Sequence, residues 1–446
     1  MENQKKLGAA AFLPLIVFLA LYVGCGITFT LMGVEDPFGQ FPRHVALLAG
    51  VAVTLLLAPK VKVGEKLDVF CQSMGNSGVM MIVLIYLMAG GFQGAAATMG
   101  GKDSVINMAL HFIPVSLLIP GVFLMCCFIS TAIGTSMGTI AAMAPVAIGV
   151  AQGAGLNPAI VGAAVIGGSY FGDNLSMISD TTISAAQGCG SEMRDKFRMN
   201  FFMALPAAII AIVLYAILGG HGSGSIEAGA YSVIQVLPYI MVLVTALMGI
   251  NVAVVLFIGI LMTGIIGMAQ GTVGFFEWVQ GIGGGMSDMF SISIVAVLIS
   301  GIIGLVRYYG GVEWLVSAIT SKIGSRRGAE YGIGLLSGVL SAALVNNTIG
   351  IIVTCPIAKE IGGKYGIAPK RLASLVDIFA CAFLALMPHD GGILIVTELA
   401  GCTPLDILPY SFYMFALIIF TCITIQFGLL RTPEEKEFAK KQAASK

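Results

Sequence analysis

Apolar runs close to the span of a bilayer recur along this 446-residue chain from Ala9 to Leu430, and few charges interrupt them. A helix needs about 20 apolar residues to cross the hydrocarbon core. The pattern therefore confines the chain to folds that cross a membrane many times. Composition agrees: 57% of residues are hydrophobic and 10% charged, where a soluble domain carries about 25% charged residues. The alternation of a membrane β-barrel is absent. The expected fold class is an all-α polytopic membrane protein of about 10–13 transmembrane helices. Candidate spans fall near 9–32, 44–59, 76–97, 112–134, 137–152, 158–180, 199–219, 231–248, 250–268, 291–308, 331–344, 349–358, 370–387 and 409–430.

Other classes recede. The formal net charge is zero, without the basic block a nucleic-acid partner needs. The nine cysteines are scattered through apolar runs. Cys126-Cys127 lacks a metal-ligand spacing, so these thiols read as small free hydrophobes. Lys5-Lys6 precede an apolar run, Ala9 to Met32, that is too long for a signal peptide core. It reads as an uncleaved first span.

Lys and Arg in short loops set orientation. The clusters are Lys60, Lys62 and Lys66; Arg194, Lys196 and Arg198; Lys322, Arg326 and Arg327; Lys359, Lys364, Lys370 and Arg371; and the tail from Arg431. These are expected on the cytoplasmic side of a bacterial-type inner (plasma) membrane. Loops 33–43, 98–104 and 220–230 are then outside and both termini inside.

The Gly/Ser linker Gly219 to Ser225 suggests two halves, 1–219 and 220–430, followed by a cytoplasmic tail, 431–446. At an offset of 211, Ser130–Pro158 falls on Ser341–Pro369 with seven of 29 positions identical. Both copies place a polar break, a proline and Gly-x-x-Pro at the same spacing. The turn Ile148–Asn157 has no Lys or Arg, whereas Lys359–Ala368 has two. The same turn then faces opposite sides, which predicts two inverted repeats with broken helices or re-entrant hairpins around a midplane site.

Polar groups at membrane depth mark the candidate site. The first break, Ser130 to Thr139, offers Thr135 and Ser136; its mate offers Asn346, Asn347 and Thr348. Backbone freed from helix in a bilayer must line a cavity or be buried in protein. Small hydroxyl residues also serve helix packing, which explains the first break equally well. Two amides in one apolar hairpin are harder to explain as packing. The sequence Gly172-Asp173-Asn174-Leu175-Ser176-Met177-Ile178-Ser179-Asp180-Thr181-Thr182 brings two acids. If it is helical, Asp173, Ser176 and Asp180 share one face. An intramembrane acid costs about 2.5–3.5 kcal/mol on insertion scales, and no Lys or Arg is expected inside an adjacent span to offset it. A proton or cation is the natural partner. Alternatively Asp180 is a solvated cap at the cytoplasmic rim. Asp377 lies mid-span in the second half, and Met387-Pro388-His389-Asp390-Gly391-Gly392 marks a further break. His389 and Asp390 either relay a proton or occupy an exposed turn.

The run Phe171-Gly172-Asp173-Asn174-Leu175-Ser176-x-x-Ser179-Asp180-Thr181-Thr182 resembles the signature of the NhaC-type sodium/proton antiporters, within the wider ion transporter superfamily. There the motif reads close to F-G-D-x-x-S-P-x-S-D-T-T, and its proline is Met177 here. The charged exit, Glu192 to Asn200, is similar to that of a bacterial subgroup. The resemblance implies a central site built by broken helices of two inverted repeats. It also implies that Asp173, Ser176, Ser179, Asp180 and Thr181 line or border the cation pathway.

The expected function is a secondary transporter that exchanges Na+ against H+, with Na+ at Asp173, Asp180, Asn346 and Asn347. The alternative on the same fold is a Na+- or H+-coupled carrier of a small organic acid or amino acid. An intramembrane aspartyl hydrolase using Asp173 with Asp377 or Asp390 gives the inverted repeat no purpose, so the chain is not expected to be an enzyme. No cofactor is expected beyond the transported ions. The expected partners are the lipid bilayer and small cations, with an organic solute and a homodimer compatible with the reading.

Overall fold

The computed structural model describes residues 7–34, 40–112, 114–176, 179–219, 229–248, 250–321, 323–433 and 435. Met177, the linker Gly220–Ser225 and the basic tail beyond Glu435 lie outside them. The described residues form helices and no strand. Among the described residues six helices are long and apolar enough to cross a membrane, or up to seven if the bent pair Gly391–Ala400 and Pro404–Tyr410 is one span. The other apolar segments are shorter or interrupted by polar breaks, as a chain that builds a site at membrane depth requires.

Packing divides the chain into two units. One comprises Met1–Tyr86 and Met289–Lys322, the other Leu87–Asp288 and Ile323–Lys446. In the first, Lys66 is buried and its ammonium donates to Leu55 O and Leu57 O at the C-terminal end of Arg43–Leu56. There it meets the negative end of the helix dipole. The second unit holds both copies of the repeat, so the halves drawn at residue 219 group sequence rather than packing.

Ten helices of the second unit matter for the site. They are α1 (Val115–Ile133), α2 (Ser136–Gly153), α3 (Pro158–Leu175), α4 (Asp180–Cys189), α5 (Met193–Gly219), α6 (Arg326–Leu344), α7 (Asn347–Tyr365), α8 (Pro369–Leu384), α9 (Gly391–Ala400) and α10 (Phe412–Phe427). Helix starts recur at the offset the sequence suggested: Val115 and Arg326, Ser136 and Asn347, Pro158 and Pro369, Asp180 and Gly391. The helix-breaking residues match as well. Gly134 and Val345 both close a helix in the left-handed conformation, and Thr135 and Asn346 both cap the next one.

The contact between first and third helix also recurs, with its bulk exchanged. In the first copy Gly168 of α3 faces Phe123 of α1, and a Cβ there would collide with the Phe123 carbonyl oxygen. In the second copy Gly334 of α6 faces Phe379 of α8, with a Cβ 2.6 Å from the ring. Residues 123 and 334, and 168 and 379, are equivalent, so phenylalanine and glycine have exchanged helices. Close helix approach at a small residue is the usual device for packing in a bilayer, where apolar burial alone gives no drive.

Candidate ion-binding site

Helix α3 ends at Leu175, one residue after Asn174, because hydroxyl groups take over its last carbonyls. Thr181 and Thr182 each donate to Asp173 O, at 3.2 and 3.1 Å. Ser176 and Ser179 are extended. This corrects the expectation that Asp173, Ser176 and Asp180 share one helical face. Asp180 opens a separate helix, α4, and is exposed, whereas Ser176, Ser179 and Thr181 are buried. Asp180 therefore does not share the buried surroundings of Asp173.

Asp173 is buried, and among the described residues every donor to its carboxylate is neutral. Oδ1 accepts from the Ser136 backbone N–H at 3.0 Å and the Ser179 hydroxyl at 3.3 Å. Oδ2 accepts from the Ser136 hydroxyl at 2.5 Å and the Asn347 amide at 3.5 Å. Ser136 is the first residue of α2, Ser179 the cap of α4 and Asn347 the first residue of α7. Three helix N-termini thus meet at one carboxylate, and each favours negative charge there. The first break and the amide hairpin are both brought to Asp173. Close approach of α1 and α3 supports this arrangement: Ser130 donates to Ser169 O.

The remaining candidates have more local work. Thr135 caps α2 with its backbone and accepts from Thr139. Asn346 accepts from Ile349 N, and Asn347 Oδ1 accepts from Thr348 N. Asp390 is buried and caps α9, accepting from Gly392 N and Ile393 N. Its other oxygen accepts from the Tyr170 hydroxyl, one turn before Asp173 on α3. His389 is also buried, its Nε2 3.0 Å from Ala342 O. Burial of both residues excludes the exposed-turn reading of this break.

Asp377 carries the largest surprise. Lys196, read in the sequence as part of a cytoplasmic loop, is fully buried and its ammonium lies 2.8 Å from Asp377 Oδ2. The expectation that no Lys or Arg sits near the intramembrane acids is overturned. Lys196 also donates to Asn174 O and to the Thr182 hydroxyl, at 3.0 and 2.6 Å. Asn200, one turn on, donates to Asn174 O and Asp377 Oδ2. The C-terminus of α3 thus receives a cation and an amide, as its dipole favours. A signal for this was present. Lys196, Asn200, Ala204, Ala207, Ala211 and Tyr215 form one buried stripe on α5, and that spacing extends the apolar stripe of the span back through Lys196.

Arg371 is likewise buried, facing Glu330 at 3.5 Å and donating to Thr424 at 2.9 Å. Glu435, within the tail, is buried against Arg326 and accepts from Ala368 N. Among the described residues no three His, Cys, Asp or Glu side chains gather as a metal cluster would.

The Na+/H+ antiporter NhaC of Alkalihalophilus pseudofirmus is 26% identical over 70% of this chain and 74% of its own length. The malate-2H+/Na+-lactate antiporter of Bacillus subtilis is 22% identical over 93% and 94%. The arginine/ornithine antiporter ArcD of Halobacterium salinarum is 24% identical over 92% and 90%. The profile of the Na+/H+ antiporter family matches residues 7–220 and 225–431, and this multi-pass membrane protein belongs to that family.

Proposed function

We propose that the protein exchanges Na+ against H+, and that Asp173 is the carboxylate that changes partner. The observation that carries this is the contrast between its two buried acids: Asp377 has an ammonium at 2.8 Å, while Asp173 has only neutral donors. A carboxylate removed from water without a resident cation needs a proton or a bound cation. The Ser136 and Ser179 hydroxyls can serve both states. Each donates to the bare carboxylate and, by rotating its O–H, presents a lone pair to sodium instead. Broken helices near the midplane supply such oxygens in other transporters. Sodium arriving from one side displaces the proton, and exposure to the other side reverses the exchange. Inverted repeats, cytoplasmic termini and an inner-membrane location complete this reading, which calls on no cofactor and leaves room for a homodimer.

Addition of sodium to everted vesicles should drive proton flux, seen with a ΔpH-sensitive dye. Absence of flux in the wild type, or full flux in Asp173→Ala, overturns the proposal. The second reading, coupled exchange of an organic acid or amino acid, is favoured by the names of the Bacillus and Halobacterium relatives. Against a simple carboxylate clamp, the buried Arg371 is already engaged by Glu330 and Thr424. Uptake of labelled lactate, malate or arginine into proteoliposomes separates the readings.

A further inference from the structure

We infer that Lys196 is a resident cation that limits the site to one exchangeable cation, by filling the place at Asp377 that a second ion would otherwise take. This rests on the antiport reading of Asp173. The ammonium is surrounded as a small monovalent cation would be. It has three oxygen partners from three helices: Asn174 O of α3, Thr182 Oγ1 of α4 and Asp377 Oδ2 of α8, at 3.0, 2.6 and 2.8 Å. Each of the three is a hard oxygen, and one belongs to a carboxylate.

The surrounding polar groups are rich in acceptors. Asn200 Oδ1 and Asn174 Oδ1 are buried and have no hydrogen-bond partner. Buried oxygens are ordinarily paired, and each orphan carries a cost. A polar core with spare oxygens and one tethered ammonium is a cation environment that already has its cation. Asp173 belongs to the same network without sharing that ion: Thr182 accepts from Lys196 and donates to Asp173 O. The two acids therefore sit in one polar core with different counter-ions, one attached to the chain and one exchangeable.

The lysine side chain is covalently tied to α5, so its charge stays with the protein when the cargo leaves. Removing the ammonium while keeping Asp377 should convert that place into a second sodium site. Removing both charges should restore a single site.

The test is equilibrium binding of radioactive sodium to purified protein in detergent at alkaline pH. Four proteins are compared: wild type, Lys196→Met, Lys196→Met/Asp377→Asn and Asp173→Asn. The expected sodium per protein is one, two, one and none. In parallel, replacing choline by sodium should raise the melting temperature of Lys196→Met more than that of the wild type. If Lys196→Met does not fold, Lys196→Gln, which keeps a polar side chain but no charge, decides: two sodium ions support the inference, and one or none overturns it. A folded Lys196→Met that binds one sodium or none overturns this inference alone. A wild type that binds no sodium overturns the antiport reading, and this inference with it.

Discussion

Helices α3 and α8 occupy equivalent places in the two repeats, and both begin on a proline, Pro158 and Pro369. They carry their acids in different ways. Asp173 lies in the last turn of α3, where helix gives way to extended chain, and it is met by the ends of three other helices. Asp377 lies in the middle of α8, where the backbone groups are used by the helix itself. Only side chains can reach it, and Lys196 and Asn200 do so. At the position equivalent to Asp173 the second repeat has Leu384, and at the position equivalent to Asp377 the first has Ile166. A shared set of helix boundaries has thus been given two unlike charge sites. The one at a helix end is surrounded by groups that can change partner, and the one in a helix interior is closed by a tethered ion.

The harshest way to break this contrast is to neutralise each acid in turn. Asp173→Asn should reduce sodium-driven proton flux by at least about 100-fold, equivalent to ~2.7 kcal/mol. Flux in everted vesicles at matched expression checks it. If the two sites were alike, removing the Lys196–Asp377 pair would cost as much. Lys196→Met/Asp377→Leu should instead retain the larger part of the flux.

Stability gives the second test. Lys196→Met leaves a fully buried carboxylate without its cation, and breaking such a pair costs about 3–5 kcal/mol. The double change Lys196→Met/Asp377→Leu removes both charges, and apolar replacement of a buried pair is often close to neutral. Thermal unfolding in sodium-free detergent should therefore rank wild type and double variant together, well above the single variant. A single variant as stable as the wild type would show that the pair is not holding α5 to α8.

Much of this was readable in the residues, and the failures share a cause. The all-helical membrane fold follows from apolar runs alone. The repeat follows from the spacing of break, proline and Gly-x-x-Pro, and its helix starts recur at the offset read from sequence. Asp173, Ser136 and Asn347 stand out in the sequence as polar groups within apolar runs, and the fold brings all three together. Charge clusters near span ends read as loops, yet Lys196, Lys66 and Arg371 of those clusters are buried. Each is buried instead with acceptors: Leu55 and Leu57 carbonyls for Lys66, Asp377 for Lys196, Glu330 and Thr424 for Arg371. A cation near a helix end is not solvated when a neighbouring helix end or acid offers it oxygens, and those neighbours are distant in sequence. Asp180 illustrates the converse. Its spacing from Asp173 suits a helix, but hydroxyls eight and nine residues beyond Asp173 end that helix early: Thr181 and Thr182 reach back to Asp173 O.

The contributions of the two hairpins can be separated more finely. Ser136 and Asn347 are equivalent residues, and both touch Asp173 Oδ2, at 2.5 and 3.5 Å. A hydrogen bond to a charged group contributes about 1.5–3 kcal/mol. Ser136→Ala should therefore weaken sodium binding about tenfold to hundredfold. Asn347→Ala removes a longer contact and should weaken it by about threefold, below ~1 kcal/mol. Sodium titration of the two purified variants measures both. Equal losses would mean that the hairpins serve the carboxylate symmetrically and that the difference in reach has no energetic weight.

The smallest effect concerns the breaks themselves. Gly134 and Val345 occupy equivalent positions with φ of 79° and 48°. Glycine takes the left-handed conformation without steric penalty, whereas an L-residue with a Cβ loses about 1–2 kcal/mol there. The second repeat thus holds strain in a hairpin whose next residues, Asn346 and Asn347, cap α7 and reach Asp173. Strain of this kind persists where the surroundings enforce it, and it concentrates at functional sites. Val345→Gly should relieve it, with part of the gain lost to the greater freedom of glycine in the unfolded chain. A net rise of at most about 1 kcal/mol in unfolding free energy is expected. Gly134→Val should do the reverse and lower stability by about 1–2 kcal/mol. If Val345→Gly also slows sodium-driven flux while raising the melting temperature, the strained break is part of the exchange cycle and not merely a tolerated turn. A stabilised variant with unchanged flux would place the working asymmetry of the two repeats in their charges alone.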